Sequence, residues 1–513
     1  MSAPSASTSR GLRLPLALFA SAVLLFQIGW MISVPPYGQM DEIDHAYRAA
    51  SVAHGHVTDH GSSPDARGAL IRVPAPMVEA AHTACQRLKY MKPGNCAPLS
   101  SPDANGDVLV GSAAASYNPL YYAVVGYPAV MLAPDSGTAM VIVMRLLTAL
   151  WCDLLIAAAL LVTVRASRTM WPTLTVMATA MPVLLCASTA AAPNGVHMAA
   201  GLLMWTTMTA LIFGADPPRR HGTTLIALWS LASSIVLVTH PTGPLWFVLN
   251  STLGLLLVGT KRLRALVRAH RRASSIGAGV VVVVGVLTGL WMLLQHTLQY
   301  KVVLTGAPGM SSTPSSTTAA EHSSDVVYQF IVWILQCIGT VPFRNNSAPM
   351  IAYVVGLALI MSLIIPALLR APRRLRWALG AVIVATLAIS FVLNFVTYGI
   401  HDNGWQGRYT LAFSYGIPLL AGWMLAERHQ RYRRFPPLLV AGALGLSVAF
   451  INAITLINVR TSITGPKWSA LDGFGAPPTA TVSGLAVAGG LLVVGAAMCL
   501  AQRAAVAVAD HAS

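Results

Sequence analysis

The stretch LPLALFASAVLLFQIGWMISV (residues 14–34) is an apolar run, and PPYGQMDEIDHAYRA (residues 35–49) follows it directly. A helix of about 20 apolar residues is long enough to cross a bilayer. The run is longer than the apolar core of a typical signal peptide, about 7–15 residues, and no small-residue cleavage site ends it. We therefore predict a retained first transmembrane helix that ends at the proline pair.

Composition places the whole chain in the same class. Its 513 residues are 55% hydrophobic and only 10% charged, whereas soluble domains are usually about 45–50% apolar. Apolar runs of bilayer length recur along the chain, which predicts an all-α polytopic membrane protein with about 12 transmembrane helices. The predicted spans are 13–34, 139–164, 171–190, 196–214, 222–240, 243–260, 276–296, 349–369, 377–398, 409–426, 436–457 and 483–502.

The net charge of +16 is explained by the distribution of the basic residues. The runs KRLRALVRAHRR, RAPRRLR and ERHQRYRR all fall in the connections that are cytoplasmic if the N-terminus is cytoplasmic. Short loops rich in Lys and Arg stay on the cytoplasmic side of a membrane. The basicity is therefore a topology signal and does not indicate nucleic-acid binding. We expect a bacterial inner (plasma) membrane protein with both termini in the cytoplasm.

The predicted segments are unequal on the two sides of the membrane. They are a cytoplasmic N-terminus (1–12), the first transmembrane helix (13–34), a first extracytoplasmic loop (35–138), helices two to seven (139–296), a second extracytoplasmic loop (297–348), helices eight to twelve (349–502) and a cytoplasmic tail (503–513). The short, proline-containing apolar segments 118–134 and 325–343 predict helices on the membrane surface. The cytoplasmic connections have no room for a catalytic domain, so any chemistry is expected at the extracytoplasmic face.

Three carboxylates and a histidine crowd the start of the first outer loop: Asp41, Glu42, Asp44 and His45. A charged group at the rim of a bilayer is costly unless it is paired or active. We predict Asp41, Glu42 and His45 as catalytic residues, since a carboxylate there can take the proton of an acceptor hydroxyl. Asp41 and Glu42 are also candidate ligands of a divalent cation (Mg, Mn or Ca). The alternative is an ordinary solvated start of a loop.

Late in the chain, YGIHDNGWQGRYT (residues 398–410) precedes another apolar run. Arg408 stands at its mouth, and phosphate is the anion that suits a guanidinium best. Two further arginines are candidates for the same phosphate: Arg145, within the second span, and Arg344, near the outer surface. Arg145 has an alternative role, in which it and Asp153 stabilise one another through a polar chain.

The remaining candidates carry weaker signals. We predict a substrate-binding role for polar residues near the outer ends of spans: Arg48, Tyr121, Asn194, His240, Gln406 and Tyr409. Cys85 and Cys96 lie ten residues apart in the first outer loop, and a disulfide between them is an expectation for an oxidising compartment. No nucleotide-binding P-loop and no G-x-S-x-G nucleophile motif appears in the sequence, which weakens the case for nucleotide-driven transport and for serine hydrolysis.

Four elements together resemble a known family: DEIDHAYRA after the first span, YNPLYYAV before the second, Arg145 within RLLTAL, and GWQGRYTLAFSYGIP. The chain resembles a bacterial family of polytopic membrane proteins of unknown function (of the DUF type), related to the glycosyltransferase-C superfamily. That superfamily includes protein O-mannosyltransferases and the aminoarabinose and arabinose transferases. In related proteins the segment similar to LVTHPTGPLWF tends to carry a lysine, where this chain has His240.

The resemblance implies an inverting transferase that takes a sugar from a polyprenyl-phosphate donor at the extracytoplasmic face. By position, Asp41 would activate the acceptor hydroxyl, Glu42 and His45 would position the acceptor or a metal, and Arg408 would hold the donor phosphate. The acceptor would be a glycan or glycolipid of the cell envelope. Two alternatives are a lipid or polysaccharide transporter (flippase) and a non-catalytic protein of envelope assembly. The transferase requires Asp41 and Arg408 to face one pocket.

Overall fold

The computed structural model describes residues 7–39, 41–64, 67–87, 98–167, 169–214, 221–297, 319–341, 348–401, 405–427, 436–464 and 479–509. Within these residues, ten helices are long and apolar enough to cross a membrane. They are Arg13–Ser33, Gly137–Ala166, Asn194–Phe213, Gly222–Thr239, Arg271–Leu294, Met350–Leu369, Arg373–Phe395, Gly407–Glu427, Pro437–Ser462 and Thr479–Gln502. The helical membrane class is thereby confirmed.

Helices α1 to α19, two strands and a 3₁₀ turn follow one another along the chain. They are α1 (Ser7–Ser33), α2 (Glu42–Ala53), β1 (Ala69–Pro74), α3 (Ala75–Arg87), β2 (Asp107–Ser112), α4 (Pro119–Leu132), α5 (Gly137–Ala166), α6 (Trp171–Ala178), α7 (Pro182–Ala187), α8 (Asn194–Phe213), α9 (Gly222–Thr239), α10 (Gly243–Val258), α11 (Thr260–Ala269), α12 (Arg271–Leu294), α13 (Ala319–Gly339), α14 (Met350–Arg370), α15 (Arg373–His401), a 3₁₀ turn (Gly407–Thr410), α16 (Leu411–Ser414), α17 (Gly416–Glu427), α18 (Pro437–Thr464) and α19 (Thr479–Ala509).

The predicted span 171–190 is wrong as a single helix. The structure divides it into α6 and α7, with Met181 in an extended conformation between them. The cause is Pro182 at the start of α7, because a proline forces the preceding residue out of the helical region. The carbonyl of Ala180 accepts a hydrogen bond from Asn452 Nδ2 of α18 at 2.8 Å, so the break is satisfied within the protein.

The predicted span 243–260 also differs from a simple crossing. Its helix, α10, ends at Val258, and the chain then bends by 102° into the basic helix α11. Gly259 makes the bend with φ 72°, a left-handed value that glycine adopts without steric cost. Counting this bent pair gives eleven candidate spans in the described part of the chain, so the prediction of about twelve is not reached there.

The described residues of the predicted first outer loop are not purely helical. Strands β1 and β2 pair in antiparallel fashion, with Ala69 opposite Ser112 and Pro74 opposite Asp107. This small sheet was not predicted; the surface helix predicted over 118–134 appears as α4. Helix α2 packs between the sheet and α4, where Gly126 approaches the carbonyl oxygen of Ala49 so closely that a Cβ there would lie 2.3 Å from it.

The bundle has two distinct ends. Helices α5 and α8 both begin beside Glu42, which binds Arg145 and the amide of Ala191, and this end carries α2 and the sheet. Basic side chains lie at the opposite end, where Arg374 donates to the carbonyls of Leu256 and Leu257 at the end of α10. This separation agrees with the expected alternation of basic loops; the compartment that each end faces stays a prediction.

Candidate functional site

Asp41 is positioned by an unusual backbone conformation. It is the residue before α2 and has φ 57° and ψ 11°, a left-handed conformation that aspartate tolerates better than most residues. Glu42 follows as the first residue of α2 and is fully buried, whereas the Asp41 side chain is 33% exposed. The two adjacent carboxylates therefore lie in different environments.

Arg408 lies in the 3₁₀ turn, which α13 holds from the side. Gln336 Oε1 accepts a hydrogen bond from the backbone N–H of Gly407 at 2.7 Å, and Cys337 Sγ lies 3.3 Å from the carbonyl oxygen of that residue. A Cβ at position 407 would lie 1.9 Å from the carbonyl oxygen of Trp333. Only glycine permits this approach, so Gly407 determines where Arg408 stands.

The structure brings Asp41 and Arg408 into direct contact. Nη2 of Arg408 donates to Oδ2 of Asp41 at 2.5 Å, although 367 positions separate the two residues in the chain. The arginine side chain is only 3% exposed, and its guanidinium carbon lies 5.2 Å from the centroid of the Tyr409 ring. The pair thus joins a buried cation to a carboxylate that remains accessible.

Two buried donors near this ion pair have no hydrogen-bond partner among the described residues. They are Nε of Arg408 and Nε2 of Gln406. An unpaired buried donor costs about 1–3 kcal/mol, so these two donors, which belong to residues 406 and 408, would be stabilised by an acceptor bound at the site. An anion with several oxygens suits a guanidinium and an amide together.

A series of aromatic rings begins at Tyr409, the residue that follows Arg408. The ring centroid of His240 lies 5.1 Å from that of Tyr409, 5.2 Å from that of His197 and 6.2 Å from that of Tyr117. The Tyr117 ring in turn lies 5.4 Å from the His45 ring. These five rings come from five separate segments, and they form one continuous wall.

Burial disfavours the charged form of two histidines of this wall, His45 and His240. Burial lowers the pKa of His45 to about 4, against the opposing influence of Asp41 and Asp44. Burial also holds the pKa of His240 well below its ordinary value, and His197 and Arg408 lower it further. A neutral imidazole can accept a hydrogen bond, and His45 Nδ1 lies 2.8 Å from the hydroxyl oxygen of Tyr122. Arg408 therefore supplies the positive charge at the Tyr409 end of this wall.

Glu42 and Arg145, both predicted as site residues, form a separate buried ion pair. Arg145 donates from Nε and Nη2 to the two carboxylate oxygens at 2.7 and 2.6 Å. Its remaining contacts are the carbonyls of Val34 and Pro35, and Glu42 also accepts from the amide of Ala191. Arg145 pairs with Glu42 and not with Asp153. These contacts hold α1, α2, α5 and α8 together. The ion pair therefore has a structural role and is not part of the proposed chemistry.

Two other predicted site residues, Arg48 and Tyr121, make structural contacts. Arg48 donates from Nη2 to the carbonyls of Val57 and Tyr117 at 2.7 and 3.2 Å, and its side chain is fully buried. The hydroxyl of Tyr121 lies 2.7 Å from Oγ1 of Thr148 on α5. Arg48 thus holds Tyr117 in the aromatic wall, and Tyr121 fastens α4 to α5.

Of the remaining predicted residues, Asn194 lies within the described structure, whereas the side chains of the others lie outside it. Asn194 is buried at the start of α8, one helical turn before His197. Arg344 and Cys96 lie outside the described residues, as does the side chain of Cys85. The phosphate role of Arg344 and the disulfide therefore stay predictions.

The structure offers no support for the metal prediction at Asp41 and Glu42. Each carboxylate is paired with an arginine, and a cation would have to replace a guanidinium. Among the residues with described positions, no group of three or more His, Cys, Asp or Glu is arranged to hold a metal ion. This donor set does not fit a divalent cation.

Sequence reasoning missed several residues that shape the site. Asp44 forms a buried ion pair with Arg67 and accepts the amide of Ala113 at 2.8 Å, which ties α2 to the sheet. Tyr117 was not among the predicted site residues, yet its ring belongs to the aromatic wall. The crowding of acids in DEIDHAYRA signalled a special region, but no pattern in the sequence told the partners apart.

Fold and site together define a helical multi-pass membrane protein with an arginine–carboxylate site at one end of the bundle. The chain belongs to the DUF2142 family of predicted membrane proteins, whose model matches residues 24–417. This confirms the family predicted from the sequence.

Two solved structures are similar to the chain. ArnT from Cupriavidus metallidurans bound to undecaprenyl phosphate aligns at 14% identity with a TM-score of 0.40. ArnT from the same organism in the apo state aligns at 15% identity with a TM-score of 0.39. Each alignment covers 98% of this chain and 78% of the other. At these scores the similarity carries no inference about function. None of the curated proteins matches the chain.

Proposed function

We propose that this protein is a membrane glycosyltransferase that moves a sugar from a polyprenyl-phosphate donor to a cell-envelope acceptor at the extracytoplasmic face. The observation that supports this best is the contact between Arg408 and the accessible carboxylate of Asp41. The guanidinium of Arg408 suits the leaving phosphate, the carboxylate of Asp41 can accept a proton, and the two groups lie at the same site.

The proposed donor site is the guanidinium of Arg408 with the free amide of Gln406. A phosphate oxygen would take the place of Asp41 Oδ2 at Nη2 of Arg408, exchanging one charge-assisted bond for another. Nε of Arg408 and Nε2 of Gln406 supply further donors. Because this cation is buried, it stabilises the negative charge that develops on the departing phosphate more strongly than it would in water.

Asp41 is the proposed general base. Once a phosphate engages Arg408, the carboxylate of Asp41 is released to accept the proton of an acceptor hydroxyl. The acceptor oxygen forms a bond to the anomeric carbon, the bond from that carbon to the phosphate oxygen breaks, and polyprenyl phosphate leaves with the electron pair. The aromatic wall formed by Tyr117, His240 and Tyr409 supplies an apolar surface for the sugar ring.

The location of the site supports an extracytoplasmic reaction. The site lies at the end of the bundle opposite Arg374 and the basic helix α11, and basic loops stay in the cytoplasm. A lipid-linked donor brings the activated sugar to the membrane surface, so the reaction needs no nucleotide.

A transporter is the less favoured function. A flippase would use a broken helix near the membrane midplane to bind its substrate, and the α6–α7 break is a candidate for such a place. Asn452 fills this break, donating to Ala180 and to its own helix. A break that the protein itself satisfies favours a structural role.

The test compares two ion pairs of the same outer region. Asp41→Asn and Arg408→Ala remove the proposed site, whereas Asp103→Asn and Arg72→Ala alter a partly exposed pair on the sheet. The expected result is loss of the cell-envelope glycan in the first two variants, with wild-type glycan in the second two. Each variant protein must remain inserted and abundant in the membrane. Normal glycan in both Asp41→Asn and Arg408→Ala would remove the enzyme proposal.

A further inference from the structure

A second cavity lies at the opposite end of the bundle from the candidate site. It has a volume of about 240 Å³ and lies between the last turns of α5 and α8 and the first turn of α9. Helix α8 connects the two regions, since Asn194 begins it near the aromatic wall and Gly214 follows its last residue at the cavity. A helix of 20 residues is about 30 Å long, so the two sites are on opposite membrane surfaces.

The cavity is amphipathic. Its inner wall is formed by apolar side chains, including Leu161, Val162, Leu225 and Leu228, and Arg165 stands at its rim. The volume is below the roughly 300 Å³ at which drug-sized pockets begin. The cavity therefore accommodates part of a hydrocarbon chain and leaves a polar headgroup at the rim.

The charge at the rim is positive. Arg165 is exposed and makes no hydrogen bond or ion pair with any described residue, and none of the lining residues is an Asp or Glu. His221 stands beside it as the residue before α9. The first N–H groups of that helix lack backbone partners and favour an anion.

A neighbouring helix adds to this positive charge. Arg262 of α11 donates to the carbonyl of Leu211 near the end of α8, which holds the basic helix α11 beside the cavity. A hydrocarbon slot with a cationic rim at a membrane surface fits one class of ligand, a lipid with an anionic headgroup.

We propose that this cavity binds an anionic diacyl phospholipid, with the phosphate at Arg165 and one acyl chain against Leu225 and Leu228. The site is separate from the proposed catalytic function and does not depend on it. Its role is to fix α5, α8 and α9 relative to one another at the basic end of the bundle.

The test measures lipid retention by the purified full-length protein with native mass spectrometry. Phosphatidylglycerol, phosphatidylcholine of the same acyl chains and undecaprenyl phosphate are added separately. One arginine near a membrane surface is worth about a fivefold change in lipid binding, so Arg165→Gln should weaken phosphatidylglycerol retention at least fivefold. Arg376→Gln is the matched control, because that exposed arginine lies at the same end outside the cavity, and it should change retention less than twofold.

A second variant tests the cavity itself. Ala158→Phe fills the apolar wall without changing the charge, and it should also reduce phosphatidylglycerol retention at least fivefold. Equal retention of phosphatidylcholine and phosphatidylglycerol would overturn the proposal, as would an equal loss in Arg165→Gln and Arg376→Gln. Tighter retention of undecaprenyl phosphate than of phosphatidylglycerol would reject a diacyl phospholipid as the ligand.

Discussion

The Glu42–Arg145 pair offers a direct test of how the end of the bundle that carries α2 and the small sheet is held together. In Arg145→Met, Glu42 keeps only the amides of Ala191 and Gln39 as hydrogen-bond partners, and it carries a buried charge without a counter-ion. Breaking a buried ion pair in this way costs about 3–5 kcal/mol. The carbonyls of Val34 and Pro35 also lose their donors, and each lost bond adds about 1 kcal/mol.

The second single variant and the double variant make the reasoning quantitative. Glu42→Gln leaves the buried Arg145 charge unbalanced, so it should also cost about 3–5 kcal/mol. The double variant Glu42→Gln/Arg145→Met contains neither charge, and its cost should fall below the sum of the single costs by at least 2 kcal/mol, within the range seen for strongly coupled neighbours.

The assay is the free energy of unfolding in mixed micelles, followed by titration with dodecyl sulfate, with the apparent melting temperature as a second readout. Asp103→Asn is the internal comparison, since both partners of its pair with Arg72 are partly exposed and it should destabilise the protein clearly less than either single variant. Additive single effects, or an Arg145→Met protein as stable as the wild type, would show that the pair is not the structural junction described above.

Three further outcomes are expected. Gly407→Ala should abolish the glycan product and destabilise the protein by about 1–3 kcal/mol, because the added Cβ would overlap the carbonyl oxygen of Trp333. The destabilisation is measured as a lower melting temperature, and unchanged glycan product would show that the turn is not confined. Since His45 has a folded pKa of about 4, below the ordinary 6.5, its contribution is full above pH 6.5. It is lost as pH falls toward 4, by on the order of 3 kcal/mol. Because the pKa of His240 is lowered as well, His45→Gln should lessen the fall in melting temperature over this range without abolishing it, and an unaltered pH profile would contradict the assignment. Asp44→Asn should destabilise the protein by about 3–5 kcal/mol through its pair with Arg67, measured by thermal unfolding; a shift no larger than that of Asp103→Asn would argue against it.

The sequence determined the class of fold because hydropathy and charge act locally. A run of apolar residues such as 14–34 must be helical in a bilayer whatever the rest of the chain does, since its backbone polar groups have no other partners there. The positive charge of each basic loop can likewise be recognised from the sequence of that loop alone. Pro182 was visible in the sequence, but a hydropathy average does not register the break that it causes between α6 and α7.

Pairing across long distances was decided only by the tertiary structure. Strands β1 and β2 pair with each other although a helix and a long connection separate them in the sequence. The six residues ALIRVP of β1 do not indicate which strand they will pair with. Asp41 and Glu42 are adjacent and chemically alike, yet one binds Arg408 and the other binds Arg145. The left-handed backbone at Asp41 and the rotation of about 100° per helical residue point them to different neighbours. Which arginine each one meets depends on packing among helices hundreds of residues apart, and no local pattern contains that information.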